Sequence, residues 1–144
     1  MIVKNSERQQ GFTLVEVLVV VVIVAILAAI SVPIYLDYVE GARAADAQST
    51  MGAIFNGVKM YRQQYGRAPA DVEELEEFGI LTIDDATQRK WIFQLNAIAD
   101  DLRTGSIQAT STDEMRGGAG QQVRYDLSEG RFYGYGLPPE GAER

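Results

Sequence analysis

Apolar residues run almost unbroken from Phe12 to Leu36, with Glu16 the single charged side chain among them, and Val17 to Ile30 reads VLVVVVIVAILAAI. A buried strand is far shorter than this. As a helix, the roughly 25 residues rise about 37 Å, which covers a hydrocarbon core of about 30 Å with some tilt. Val and Ile are weak helix formers in water, but in lipid only a helix satisfies its own backbone. Beyond Leu36 the pattern becomes amphipathic. Small residues alternate with charges from Asp37 to Gln48, and Met51, Ile54, Phe55, Val58, Tyr61 and Tyr65 then recur at helical spacing. One helix over residues 12–65 is predicted, about 80 Å long at about 1.5 Å per residue. Residues 12–36 form its membrane or filament-core part and 37–65 its amphipathic part. Gly52 and Gly57 each cost about 1 kcal/mol relative to Ala and are expected to mark close packing of a sheet. The Met and aromatic stripe reads as core rather than as a ligand site, and no heptad array or internal repeat is visible.

Residues 66–144 read as a globular part. Gly66-Arg67-Ala68-Pro69 ends the long helix. Asp71 to Phe78 reads as a short acidic helix with Val72, Leu75 and Phe78 on one face and Gly79 as its C-cap. Four short strands follow: Trp91 to Leu95, Ser106 to Thr110, Gln122 to Asp126 and Arg131 to Tyr135. Ser128-Glu129-Gly130 turns the last two into a hairpin. Met115 to Gln122 is a Gly-rich, flexible loop. No Lys-Ser/Thr follows its glycines, so it is not a phosphate cradle. The tail from Leu137 to Arg144 is expected to be mobile.

Composition removes several chemistries. The chain has 144 residues, no His and no Cys. Cys–His and Ser–His–Asp catalysis, Cys/His zinc sites and internal disulfides are all excluded. Lys4, Arg8 and Glu7 give residues 1–11 a net charge of +1, while the whole chain carries −7. An acidic body repels nucleic acid and anionic lipid, so no nucleic-acid partner is expected. Lys4 and Arg8 ahead of the apolar run hold the N-terminus in the cytoplasm and the body outside.

The string Gly11-Phe12-Thr13-Leu14-Val15-Glu16, behind a basic leader and ahead of the apolar run, resembles the processing motif of type IV prepilins and of type II secretion pseudopilins. The resemblance covers about residues 8–36. It implies removal of residues 1–11 by a prepilin peptidase that cuts after Gly11 and methylates Phe12. Glu16 falls where the family keeps its glutamate, and Pro33 where it commonly has a proline; both are implied to serve assembly. Ala25 departs from the mid-run glycine of many pilins. If those pilins unwind between that glycine and the proline, only the proline end of the comparison applies here. The implied fold is α+β and pilin-like, a long N-terminal helix packed against a small antiparallel β-sheet. Pilins often pin the C-terminal region with a disulfide. This chain must use packing or a bound ion.

The implied function is that of a homo-oligomeric subunit in a helical surface filament. An inner-membrane assembly platform and its ATPase would drive assembly from a single-pass precursor in the bilayer. The alternative within the family is a secretion pseudopilin, whose major subunit often has a calcium site. Asp84-Asp85, Asp100-Asp101 and Asp113-Glu114 could supply oxygens, but they lack EF-hand spacing and read as solvated acidic turns. No cofactor is otherwise expected. Two readings compete from outside the family. Ala29-Ile30-Ser31 is a passable signal-peptidase site, which would release a secreted domain starting at Val32. Its weakness is Glu16, a charge without use in a signal peptide. A membrane-anchored enzyme would have to work through carboxylates alone, and no pair is placed for it.

Overall fold

The computed structural model describes residues 11–137. Residues 1–10, most of the expected leader, and residues 138–144, most of the expected mobile tail, lie outside the described residues. The chain divides into two compact units, Met1–Leu36 and Asp37–Arg144. One helix, α1 (Leu14–Tyr65), supplies the first unit and enters the second, and its hydrogen-bonded turns continue through Pro33. In the first unit every large apolar side chain from Leu14 to Leu36 is about half exposed or more. Helices that are apolar on all faces belong in a membrane or a protein core. This one is long and apolar enough to cross a membrane.

In the second unit α1 buries Ala44, Ala47, Met51, Ile54, Val58 and Tyr61. The spacing alternates between three and four residues, the period of a helix seam. The stripe therefore starts two turns earlier than its large apolar members suggest, because Ala44 and Ala47 carry too little apolar surface to stand out. Tyr65, expected in the stripe, is 47% exposed. It stacks on Tyr61 and Phe78 with ring centroids 4.6 and 5.0 Å apart. Gly57 does not meet the sheet. A Cβ there would touch Leu75 and Ile80 at 3.5 and 3.6 Å, and one at Gly52 would meet nothing within 4 Å.

Gly66, at φ 74°, ends α1 by donating its N–H to the Arg62 carbonyl. The short acidic helix is α2 (Val72–Glu77), N-capped by Asp71, whose carboxylate accepts from the Glu74 N–H at 2.8 Å. A second short helix, α3 (Asp85–Lys90), is absent from the sequence expectation. It buries only Thr87 and so has no apolar stripe to read. Four strands follow: β1 (Trp91–Asn96), β2 (Ser106–Ser111), β3 (Gln122–Asp126) and β4 (Arg131–Gly134). They form an antiparallel sheet in the order β1-β2-β3-β4. The sheet packs Trp91, Phe93, Ile107, Ala109 and Val123 into one core with the α1 stripe and Leu75. Burying a side chain of Val to Trp size stabilises by about 1.5–3 kcal/mol, so this shared core is what holds α1 to the sheet.

The C-terminal segment closes without a disulfide. A Cβ at Gly134, φ 110°, would strike the Gln122 carbonyl at 2.1 Å, and one at Gly136 would meet the Glu40 carbonyl at 2.6 Å. Only glycine lets the chain leave β4 and lie against α1 this closely. Between them Tyr135 accepts a 3.3 Å hydrogen bond from Arg43 Nη1. The Gly-rich loop is tied to β2. The buried Ser111 hydroxyl donates to the Gly118 carbonyl at 2.6 Å and accepts from the Gln121 N–H at 2.9 Å.

Candidate functional site

The candidate site is the first turn of α1 and the two residues ahead of it. Gly11 and Phe12 precede the helix and are exposed, Phe12 at 87%. A Cβ on Gly11 would meet nothing within 4 Å. Among the described residues the fold places no steric demand for glycine there.

Thr13 and Glu16 close the helix end reciprocally. The Thr13 N–H and hydroxyl each donate to Glu16 Oε2 at 2.8 Å, and the Glu16 N–H donates to Thr13 Oγ1 at 3.2 Å. This is a capping box, Thr at the N-cap and Glu three residues on, which satisfies donors that a helix start leaves open. The Thr-x-x-Glu spacing is legible in the sequence, yet the expectation for Glu16 rested on resemblance and on its charge alone. The carboxylate also sits at the positive end of the helix dipole. Within one chain the only acid of the apolar run is thus hydrogen-bonded. Pro33 does not join this site. It lies 17 residues beyond Glu16 in the sequence, roughly 25 Å along the helix at about 1.5 Å per residue. It lacks an N–H, so the Ala29 carbonyl has no i+4 donor.

Each acidic pair considered as calcium ligands has at least one member engaged elsewhere. Asp84 caps α3 by accepting from the Thr87 N–H at 3.0 Å, and Asp100 accepts from the Ala68 N–H at 2.8 Å. Asp101 accepts from the Arg103 N–H at 3.0 Å, and Glu114 pairs with Arg89 at 3.5 Å. Among the described residues no three acidic side chains converge on a point that could hold a metal ion.

The geometry is that of an apolar helix with a capped, singly charged start that continues into a small α+β body. Residues 7–32 match the family described as the prokaryotic N-terminal methylation motif. This span holds Gly11, Phe12 and Glu16 but not Pro33. A fimbrial protein of Moraxella nonliquefaciens is 34% identical over 98 residues, 67% of this chain and 63% of that protein. Fimbrial protein Q of Moraxella bovis is 31% identical over 112 residues, 71% of this chain and 68% of that protein. Type II secretion system core protein G of Aeromonas hydrophila is 41% identical over 72 residues, half of each chain. The chain belongs to the type IV pilin and pseudopilin family. It spans 41% to 68% of the lengths of the fimbrial relatives it matches. No solved structure matches it.

Proposed function

We propose that this chain is a structural subunit of a type IV pilus-like surface filament, and not an enzyme. The precursor sits in the inner membrane as a single-pass protein. A prepilin peptidase cuts between Gly11 and Phe12 and methylates Phe12. The assembly platform and its ATPase then move the subunit outward, and residues 12–36 pack with their equivalents in other copies. On assembly the helix, continuous through Pro33 in the single chain, bends or opens there, since the proline ring clashes with the carbonyl four residues back.

One observation carries this reading. From Leu14 to Leu36 an apolar helix is uncovered on every face by the described residues of its own chain. Lipid covers it before assembly, and only other copies can cover it in water. Glu16 then needs a partner. The capping box supplies hydrogen bonds but no countercharge, and a charge buried without its partner is strongly destabilising, by about 3–5 kcal/mol when one partner of a buried pair is removed. Cleavage after Gly11 creates a positive amine at Phe12. The amine of a neighbouring copy pairs with Glu16 and sets the axial stagger that an aliphatic seam specifies poorly.

Glu16→Gln keeps the shape and the cap but removes the charge. Cleavage and membrane insertion should be normal, while filaments fall to few or none. Abundant filaments of ordinary length from an all-variant pool would overturn the pairing. Loss of cleavage would assign Glu16 to the peptidase instead. The identity with core protein G favours a second reading, a pseudopilin of a type II secretion system. Deleting the chain then abolishes secretion of exported enzymes rather than surface filaments.

A further inference from the structure

A groove of about 400 Å³ opens beside α1 in the second unit, lined by Arg43, Asp46, Lys90, Trp91, Glu114 and Arg116. Three of these side chains are cations and two are acids, a lining of net charge +1 in a chain of net charge −7. Lys90 leans on Asp46 at 3.9 Å, and Arg43 is held by the Tyr135 hydroxyl. Arg116 is exposed at the rim and enters no ion pair among the described residues. Trp91, 2% exposed, forms a fixed floor.

The opposite charge gathers on α2. Its sequence, Val-Glu-Glu-Leu-Glu-Glu, holds four acids and no base. Two of them have partners within the chain. Glu74 binds Arg67 and Tyr61, and Glu76 accepts from Gln88 Nε2 at 2.9 Å. Glu73 and Glu77 point outward and are exposed. They stand four apart on one helix face, where like charges repel, and Glu77 also sits at the negative end of the helix. Glu73, in the first turn, is favoured by the positive end of the helix, so Glu77 is the less stable of the two. A cationic surface laid against this face relieves the repulsion and offsets the cost at Glu77.

We propose that the α2 face of one copy, through Glu73 and Glu77, docks at the Arg43–Lys90–Arg116 groove of another copy. The proposal rests on the filament reading and names the body-to-body contact within it. The two surfaces differ, so the contact is heterologous and propagates instead of closing a dimer. Glu74 is fastened to Tyr61, whereas the groove lies at Arg43 and Asp46. The points at which the two surfaces meet α1, Tyr61 and Arg43 to Asp46, are on the order of 25 Å apart at about 1.5 Å per residue. Copies joined this way are staggered along the helix axis by a distance of that order, as a filament of parallel helices requires. Being exposed at its rim, the contact weakens as salt rises.

The chain has no cysteine, so a designed pair reports without background. In cells making the full chain, Glu73→Cys and Arg116→Cys on the same molecule, treated with a short bismaleimide, should give a ladder of trimers and longer species. Each single variant should give no ladder. Independently, Arg116→Glu with Lys90→Glu should cut filament number at least tenfold. Glu73→Lys with Glu77→Lys should do the same, and the four changes together should restore most of the loss. Protease resistance of the body checks that each variant folds. Filaments that form normally but give no ladder, with no effect of either reversal, overturn this contact and leave the filament reading standing. Absence of filaments from the unsubstituted chain overturns both.

Discussion

Four hydrogen bonds converge on the Glu74 carboxylate. Arg67 Nη2 reaches its Oε1 at 2.5 Å, the Tyr61 hydroxyl donates to the same oxygen at 2.5 Å, and the Ala70 N–H donates to Oε2 at 2.7 Å. Arg67 first, then Tyr61 and the Ala70 amide, hold the carboxyl down from its ordinary 4.5 to about 2. Burial, reinforced by the Glu74 carboxylate, pushes the Tyr61 hydroxyl upward. The contacts tie the end of α1 to α2 across the turn at Pro69. A depressed carboxyl stabilises the fold above its unfolded value near 4.5 and loses that contribution as pH falls towards about 2. Glu74→Gln should therefore melt below the unsubstituted chain at pH 7, with the gap narrowing as pH drops from about 4.5 to 2. Thermal melts across that range check it; a gap independent of pH would contradict the assignment. Nothing in the sequence singles out Glu74 from its three acidic neighbours, because its partners depend on how the α1–α2 turn folds back.

At the scale of elements, the capping box is the local feature with the plainest consequence. Thr13→Ala removes the hydroxyl that accepts from Glu16. Loss of an N-cap side chain costs about 1 kcal/mol. Amides of the first α1 turn should exchange roughly fivefold faster in Thr13→Ala, and Thr13→Ser should restore protection. Hydrogen exchange of the full chain in detergent reads this directly. Equal protection in all three proteins would mean that the cap contributes nothing to the helix start. Much of the rest of the element order is legible in the chain. The strands are bounded by turn residues such as Gly105 and Gly130, both at positive φ. α2 has Asp71 at its start and Gly79, φ 65°, at its end. α3 escapes because its sequence, Asp-Ala-Thr-Gln-Arg-Lys, has almost nothing to bury. Ala97 and Leu102 take positive φ without being glycine, a strain imposed by the β1–β2 connection that no local pattern announces.

For the molecule as a whole, the sequence separates an apolar helix from an acidic body, and the structure gives each its own surface chemistry. The helix offers aliphatic area on all sides with one acid at its start. The body offers a groove of mixed charge with Arg116 at its rim and an anionic helix face. Gly11 and Phe12 stand out in the sequence only through their resemblance to the prepilin motif, and Glu16 also as the single acid in an apolar run. The groove was not legible, since Arg43, Lys90 and Arg116 meet only when the sheet folds onto α1.

The most direct measurement is the mass of the mature N-terminus of the chain, taken from sheared surface material. Filaments made of this chain should yield a subunit that begins at Phe12 and carries one added methyl group. Gly11→Val, which the fold has room for, should leave full-length precursor in the membrane and no such subunit. A mature chain beginning at Val32, or one beginning at Phe12 from the Gly11→Val variant, would contradict the account.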